Sequence, residues 1–169
     1  MSPHPPLYTI GHGTRPIAEL IGLLQSFGVE YLADVRSRPY SKFNPQYNRE
    51  PLFMALEKEG IRYVYLGDEL GGRPSDPACY DITGRIDYGF VRRQAFFRKG
   101  LERLKVAHSK DLKVALLCSE SKPQQCHRSR LIGRALIEEG LLLHHIDERG
   151  IVRDQAELFR TEGHDGLFA

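Results

Sequence analysis

"LLCSESKPQQCHRSRLIGRAL", residues Leu116–Leu136, opens as a buried strand, turns through a polar stretch and closes as an amphipathic helix. Together with the preceding Leu112–Leu116 it forms the most apolar strand of the chain, which is the mark of a strand covered on both faces in the middle of a parallel sheet. Leu131, Ile132, Ala135 and Leu136 then recur at helical spacing and Gly140 supplies a stop, so the helix is expected from about Pro123 to Glu139. A strand, a polar turn and a helix make one β/α unit. The rest of the chain repeats that pattern.

Working toward the N-terminus, a helix is expected from about Tyr88 to Ala107, with Phe90, Phe97, Leu101 and Leu104 on one stripe. "IRYVYLG" (61–67), "EYLADVR" (30–36) and "LYTIG" (7–11) read as three further strands. Between them, Ile17, Leu20, Ile21, Leu24 and Phe27 form one helical stripe with Thr14 as N-cap and Gly28 as stop. Leu52, Phe53 and Leu56 form another behind Asn48. Residues 67–86 are Gly-, Pro- and Asp-rich and read as one long loop. Toward the C-terminus, "LLLHHIDERGIVRD" reads as a last strand that turns at Gly150 into a short antiparallel return. The tail after Asp154 carries no clear pattern. The expectation is a single α/β domain, with a mostly parallel sheet flanked by helices.

Size and composition agree with one domain. The chain has 169 residues, 41% of them hydrophobic and 27% charged, enough for one full core and too few for two. No apolar run approaches the roughly 18 residues that span a bilayer, and the first ten residues lack the build of a signal peptide. A cytosolic protein with no membrane partner is expected. An odd number of cysteines does not make a disulfide framework, so Cys79, Cys118 and Cys126 are read as thiols. Net charge is +2, which gives no global argument for nucleic acid. Arginines outnumber lysines, and the guanidinium fork suits phosphate or carboxylate.

Parallel α/β sheets bind ligands outside the carboxyl ends of their strands. Four strand-to-helix loops meet there: "GHGTR", "DVRSRPYSKFNPQYN", "GDELGGR" and "CSESKPQQCHRSR". They place His12, Asp34, Arg36, Arg38, Tyr40, Glu69, Gly71, Gly72, Cys118, Glu120, Cys126, His127 and Arg128 on one edge. Segments in these loops, "YTIGHGT", "LADVRSRPYSKFNP", "LGDELGGRP" and above all "LLCSESKPQQCHRSRLIGRAL", resemble the family known as domain of unknown function 488. The resemblance runs in order from about Tyr8 to Asp147. It implies the α/β fold and a site at this edge, and it assigns no reaction.

Chemistry at the edge divides into several readings. A cysteine between a strand and a helix start, beside arginines, has a lowered thiol pKa, so Cys118 or Cys126 is a candidate nucleophile. Thiol phosphatases and rhodanese-like enzymes place an arginine six positions after that cysteine. Gln124 and Ile132 stand there instead, and the simple phosphatase reading fails. Glu120, His127 and Asp34 are candidates to move a proton. Arg36, Arg38 and Arg128 would hold an anion, and His12, Glu69, Gly71 and Gly72 would line the ligand. Arg36, Arg38, Lys42 and Arg49 interleave with Tyr40, Phe43 and Tyr47, a combination of cations for phosphate and rings for bases. A phosphate-bearing small molecule or single-stranded nucleic acid is the expected ligand. Zinc could be held by Cys118, Cys126 and His127 with His12, but no Cys-x2-Cys spacing supports a dedicated site, and no cofactor is assigned. "GHG" lacks the dinucleotide fingerprint. The plainer alternatives are that Cys118 only completes its strand, that Arg128 pairs with Glu120 to fasten the turn, that the Tyr40 loop covers core, and that Asp34 merely orients Arg36.

Overall fold

The computed structural model describes residues 3–158. β1 (Leu7–Gly11), β2 (Tyr31–Asp34), β3 (Arg62–Tyr65), β4 (Val114–Cys118), β5 (Leu143–Ile146) and β6 (Val152–Asp154) form one sheet in the order β3-β2-β4-β1-β5-β6. All pairings are parallel except β5 with β6, the antiparallel return expected at the C-terminal end. Gly150 turns that hairpin at φ +78, a conformation that costs glycine little.

The helices include α1 (Ile17–Ser26), α2 (Arg49–Lys58), α3 (Gly67–Leu70), α4 (Tyr88–Arg92), α5 (Ala95–Ser109) and α6 (Arg134–Glu138). Parallel crossovers are right-handed, so the two steps toward β3 run over one face and the two returning steps over the other. The core divides accordingly. Leu20 and Leu24 of α1 and Leu52 and Leu56 of α2 pack with Ala115 and Leu117. Leu101 and Leu104 of α5 and Leu136 of α6 pack with Val114 and Leu116. β4 thus sends alternate side chains into two cores, as the period-2 geometry of a strand requires. Each fully buried leucine contributes roughly 1.5–3 kcal/mol. Central β4 lies between β2 and β1, whose connections leave on one face while its own leaves on the other, and a crevice opens where such connections diverge.

Several local expectations are revised. Residues 67–86 are not a bare loop: they hold α3, a 3-10 turn at Pro77–Cys79 and a bridge between Tyr80 and Ile86. The helix expected over 88–107 breaks into α4 and α5 at Arg93–Gln94. Thr14 does not cap α1, which starts after Pro16, and the Asn48 side chain accepts from Ser41 N (2.7 Å) rather than from its helix. After β4 the chain makes a 3-10 turn at Pro123–Gln125 and a π-helical segment at Arg128–Gly133, and only then α6. Among the described residues, no helix is long and apolar enough to cross a membrane.

Candidate functional site

The loops after β1, β2, β3 and β4 all border the carboxyl edge, and those after β1 and β4 are bonded to each other. His12 N donates to Cys118 O (2.9 Å) and Gly13 N to Ser119 O (3.0 Å). A Cβ on Gly11 would run into the Glu120 backbone, so the absent side chain is what lets the β4 loop lie against β1. Glu120 Oε1 accepts from Lys122 N (3.0 Å), holding that loop in a tight turn.

β2 contributes another of these loops. Arg36 Nε and Nη2 donate to Asp34 Oδ1 and Oδ2 at 2.9 and 2.8 Å, Arg36 N donates to Oδ1 at 3.1 Å, and Tyr63 OH donates to Oδ2 at 2.6 Å. Asp34 is fully buried and Arg36 is 5% exposed. Four donors on two carboxylate oxygens leave Asp34 no vacancy for proton transfer, and of the two roles read for it the orienting one is found. Arg36 Nη1 is buried and has no partner among the described residues.

Arg36, Arg38, Tyr40, Ser119 and Glu120 border two adjoining cavities. The first, about 440 Å³, adds His12, Gly13 and Ser121. The second, about 540 Å³, adds Gly72, Arg73, Tyr88, Cys118, Cys126 and His127. Tyr40 is 70% and Phe43 87% exposed, so neither covers core. Arg49 stacks on Tyr65 at 4.5 Å, which fixes it to the scaffold.

Two histidines face these cavities in different ways. His12 stacks on Tyr47 (ring centroids 4.3 Å), and its Nδ1–H donates to Gly13 O (2.8 Å). Burial lowers its pKa, with Arg36 pressing the same way against the backbone bond that raises it. Its Nε2 is buried without a partner among the described residues. His127 donates from Nε2 to Val35 O (3.1 Å), leaving Nδ1 toward the sulfurs of Cys118 (3.7 Å) and Cys126 (3.6 Å). Burial lowers its pKa to about 4. Gly72 lies against this ring, where a Cβ would approach Cγ to 2.9 Å.

The remaining expected site residues are engaged in other contacts. Cys118 and Cys126 are joined as a disulfide, and only Cys79 is free. The thiol reading is therefore corrected for this pair, and in the oxidised state neither sulfur is a nucleophile. Arg128 is fully buried. It donates to Ser121 O (2.8 Å), Thr9 Oγ1 (3.1 Å) and Ile146 O (3.5 Å), lines neither cavity and does not fasten on the Glu120 carboxylate. Burial lowers its pKa to about 9, which keeps it charged at neutral pH. Glu69 turns away to Arg103 (3.2 Å) and Lys99 (3.9 Å) of α5. A Cβ on Gly71 would meet Ser37 and the Gly67 carbonyl, so this glycine closes a turn.

The sequence reading missed Arg15, which is 7% exposed and staples the ends of β1 and β5 by donating to Gly11 O (3.3 Å) and Asp147 O (2.5 Å). It also missed Ser119 and Ser121 in the wall and Tyr63 behind Asp34. Arg15 stood in the quoted "GHGTR" loop, but no local pattern marked Tyr63.

The family model described as domain of unknown function DUF488 matches residues 16–135. No curated protein and no solved structure matches the chain.

Proposed function

Since the chain belongs to the DUF488 family, whose description carries no reaction, we propose from the edge geometry that it is an enzyme acting on a phosphate-bearing ligand, a nucleotide or nucleic acid. The observation that carries this reading is Arg36: a guanidinium 5% exposed and clamped by Asp34, whose side chain borders both cavities and whose buried Nη1 has no partner among the described residues. Buried donors without partners are rare and cost about 1–3 kcal/mol, so an acceptor is wanted there. Arg36 and Arg38 hold the phosphate, and Tyr40 and Phe43 offer rings to a base. His12 Nε2 supplies the unprotonated nitrogen that takes a proton from water or a hydroxyl, with Glu120 across the same cavity as the second proton-handling group.

The test is equilibrium binding of a nucleoside triphosphate and of a short single-stranded oligonucleotide to wild type and Arg36→Lys, followed by a turnover assay on wild type and His12→Asn. Losing charge-assisted bonds worth about 1.5–3 kcal/mol predicts roughly 10–150-fold weaker binding for Arg36→Lys. His12→Asn keeps binding and loses turnover. Equal binding by wild type and Arg36→Lys overturns the site. The exposure of Phe43 and Tyr40 favours a second reading, a non-enzymatic single-strand binder. It predicts affinity that falls steeply with salt and no turnover by wild type.

A further inference from the structure

We propose that, once the Cys118–Cys126 disulfide is opened, the two sulfurs and His127 Nδ1 form a three-ligand zinc site whose fourth position faces the larger cavity. The ligand atoms all lie within 4.8 Å of one another. A tetrahedral zinc with Zn–S about 2.3 Å and Zn–N about 2.05 Å requires S···N separations of about 3.5–3.6 Å. The imidazole nitrogen stands 3.7 and 3.6 Å from the two sulfurs, so both S···N edges of that tetrahedron are already drawn. Only the sulfurs must part, to about 3.8 Å.

The surroundings of His127 suit a metal ligand. Its Nε2–H is committed to Val35 O at 3.1 Å, the outer contact that fixes tautomer and ring direction in metal-bound histidines. Gly72 leaves room for the ring. Thiolate and imidazole donors select zinc over hard cations. Two thiolates cancel the charge of Zn²⁺, so the filled site adds no net positive charge beside Arg36, Arg38 and Arg73 in the cavity wall. Three protein ligands and one open position is the arrangement of catalytic zinc, which leaves room for water or a substrate atom. His12, read from the sequence as a possible fourth ligand, lines the other cavity and bonds to Gly13.

The chemistry balances. A dithiol reductant gives two electrons and two protons to the disulfide and closes to its own disulfide, leaving Cys118 and Cys126 as thiols. Binding Zn²⁺ then releases both thiol protons to solvent. This inference stands apart from the phosphate reading and survives its failure.

Full-length protein, reduced with a dithiol and freed of the reductant under anaerobic conditions, is titrated with Zn²⁺ alone by equilibrium dialysis and, in parallel, with Co²⁺ as a spectroscopic probe. One zinc per reduced chain, none per oxidised chain, and cobalt spectra with thiolate charge-transfer and tetrahedral bands are expected. Cys126→Ser and His127→Gln lower affinity at least tenfold. Because either variant can misfold, wild type also carries a test of its own: zinc slows alkylation of Cys118 and Cys126 at least tenfold and leaves Cys79 unaffected. Substoichiometric zinc in reduced wild type, an octahedral cobalt spectrum, or alkylation indifferent to zinc overturns the proposal.

Discussion

Replacing Asp34 by asparagine isolates the contact on which the edge depends. Both carboxylate oxygens accept: Oδ1 from Arg36 N and Nε, Oδ2 from Arg36 Nη2 and Tyr63 OH, at 2.6–3.1 Å. An amide offers one oxygen and one NH2, so whichever way it turns, two donors face an N–H. The charge that balances a buried guanidinium is lost as well. Removing one partner of such a pair costs about 3–5 kcal/mol. In a domain of this size each kcal/mol shifts Tm by about 2–4 °C, which puts the fall at roughly 6–20 °C. Urea unfolding of wild type and Asp34→Asn at pH 7 measures it, with an unchanged slope showing that the folded state is the same. Replacing the whole pair, Asp34→Leu with Arg36→Met, restores most of the stability, because an apolar pair of similar volume is often no worse than a buried ion pair. That double variant still loses phosphate binding. A loss below about 1 kcal/mol for Asp34→Asn would refute the clamp.

Acid acts through two other buried groups. Burial lowers His127 to about 4 and His145 to about 3, while the unfolded rings titrate near 6.5. Below pH 6.5 the unfolded state therefore binds more protons, so stability falls with pH down toward those folded values. Between pH 7 and pH 5 each ring removes roughly 2 kcal/mol. Urea titrations at the two pH values check this, and equal stabilities would mean the rings are not held neutral. Gly11→Ala pushes a Cβ into the Glu120 backbone. It is expected to cost about 1–3 kcal/mol and to weaken phosphate binding, read by melting with and without phosphate. Arg128→Met strips a buried cation from Ser121 O, Thr9 Oγ1 and Ile146 O. A Tm drop with phosphate affinity unchanged after correction for folding is expected, and a selective affinity loss would return Arg128 to the site.

Strand periodicity made the sheet legible in advance. β1 was bounded to the residue, and β4 was placed at the centre by its apolar run. The helix after β4 was harder, because a proline-led turn and a π-helical segment carry the same apolar spacing as an α-helix while rotating Cys126, His127 and Arg128 differently. That rotation buries Arg128, where it enters a chain through Thr9, His145 and Gln155. Thr9 OH donates to His145 Nδ1 (2.6 Å), and His145 donates onward to Gln155. Gln155 lies in the tail whose pattern is not legible, so one end of this network has no local signal. The disulfide was hidden by a counting rule: three cysteines exclude full pairing, not one pair eight residues apart. Asp34 and Arg36 were visible as residues, and only the tertiary contact with Tyr63 showed that the aspartate has no acceptor capacity to spare.

Asp34 ends β2 and Arg36 follows two positions later, so the buried ion pair is made within three consecutive residues and needs no loop to close over it. Fixing the charge locally frees the segments around it. Arg38, Tyr40, Ser41, Asn44, Gly72 and Arg73 border the same cavities and make none of the hydrogen bonds that hold the Arg36 guanidinium. On the proposed reading, which molecule is accepted is a property of the rim, while the charge that meets it is set at the end of the strand. A search for altered specificity should therefore randomise the rim and leave residues 34–36 alone.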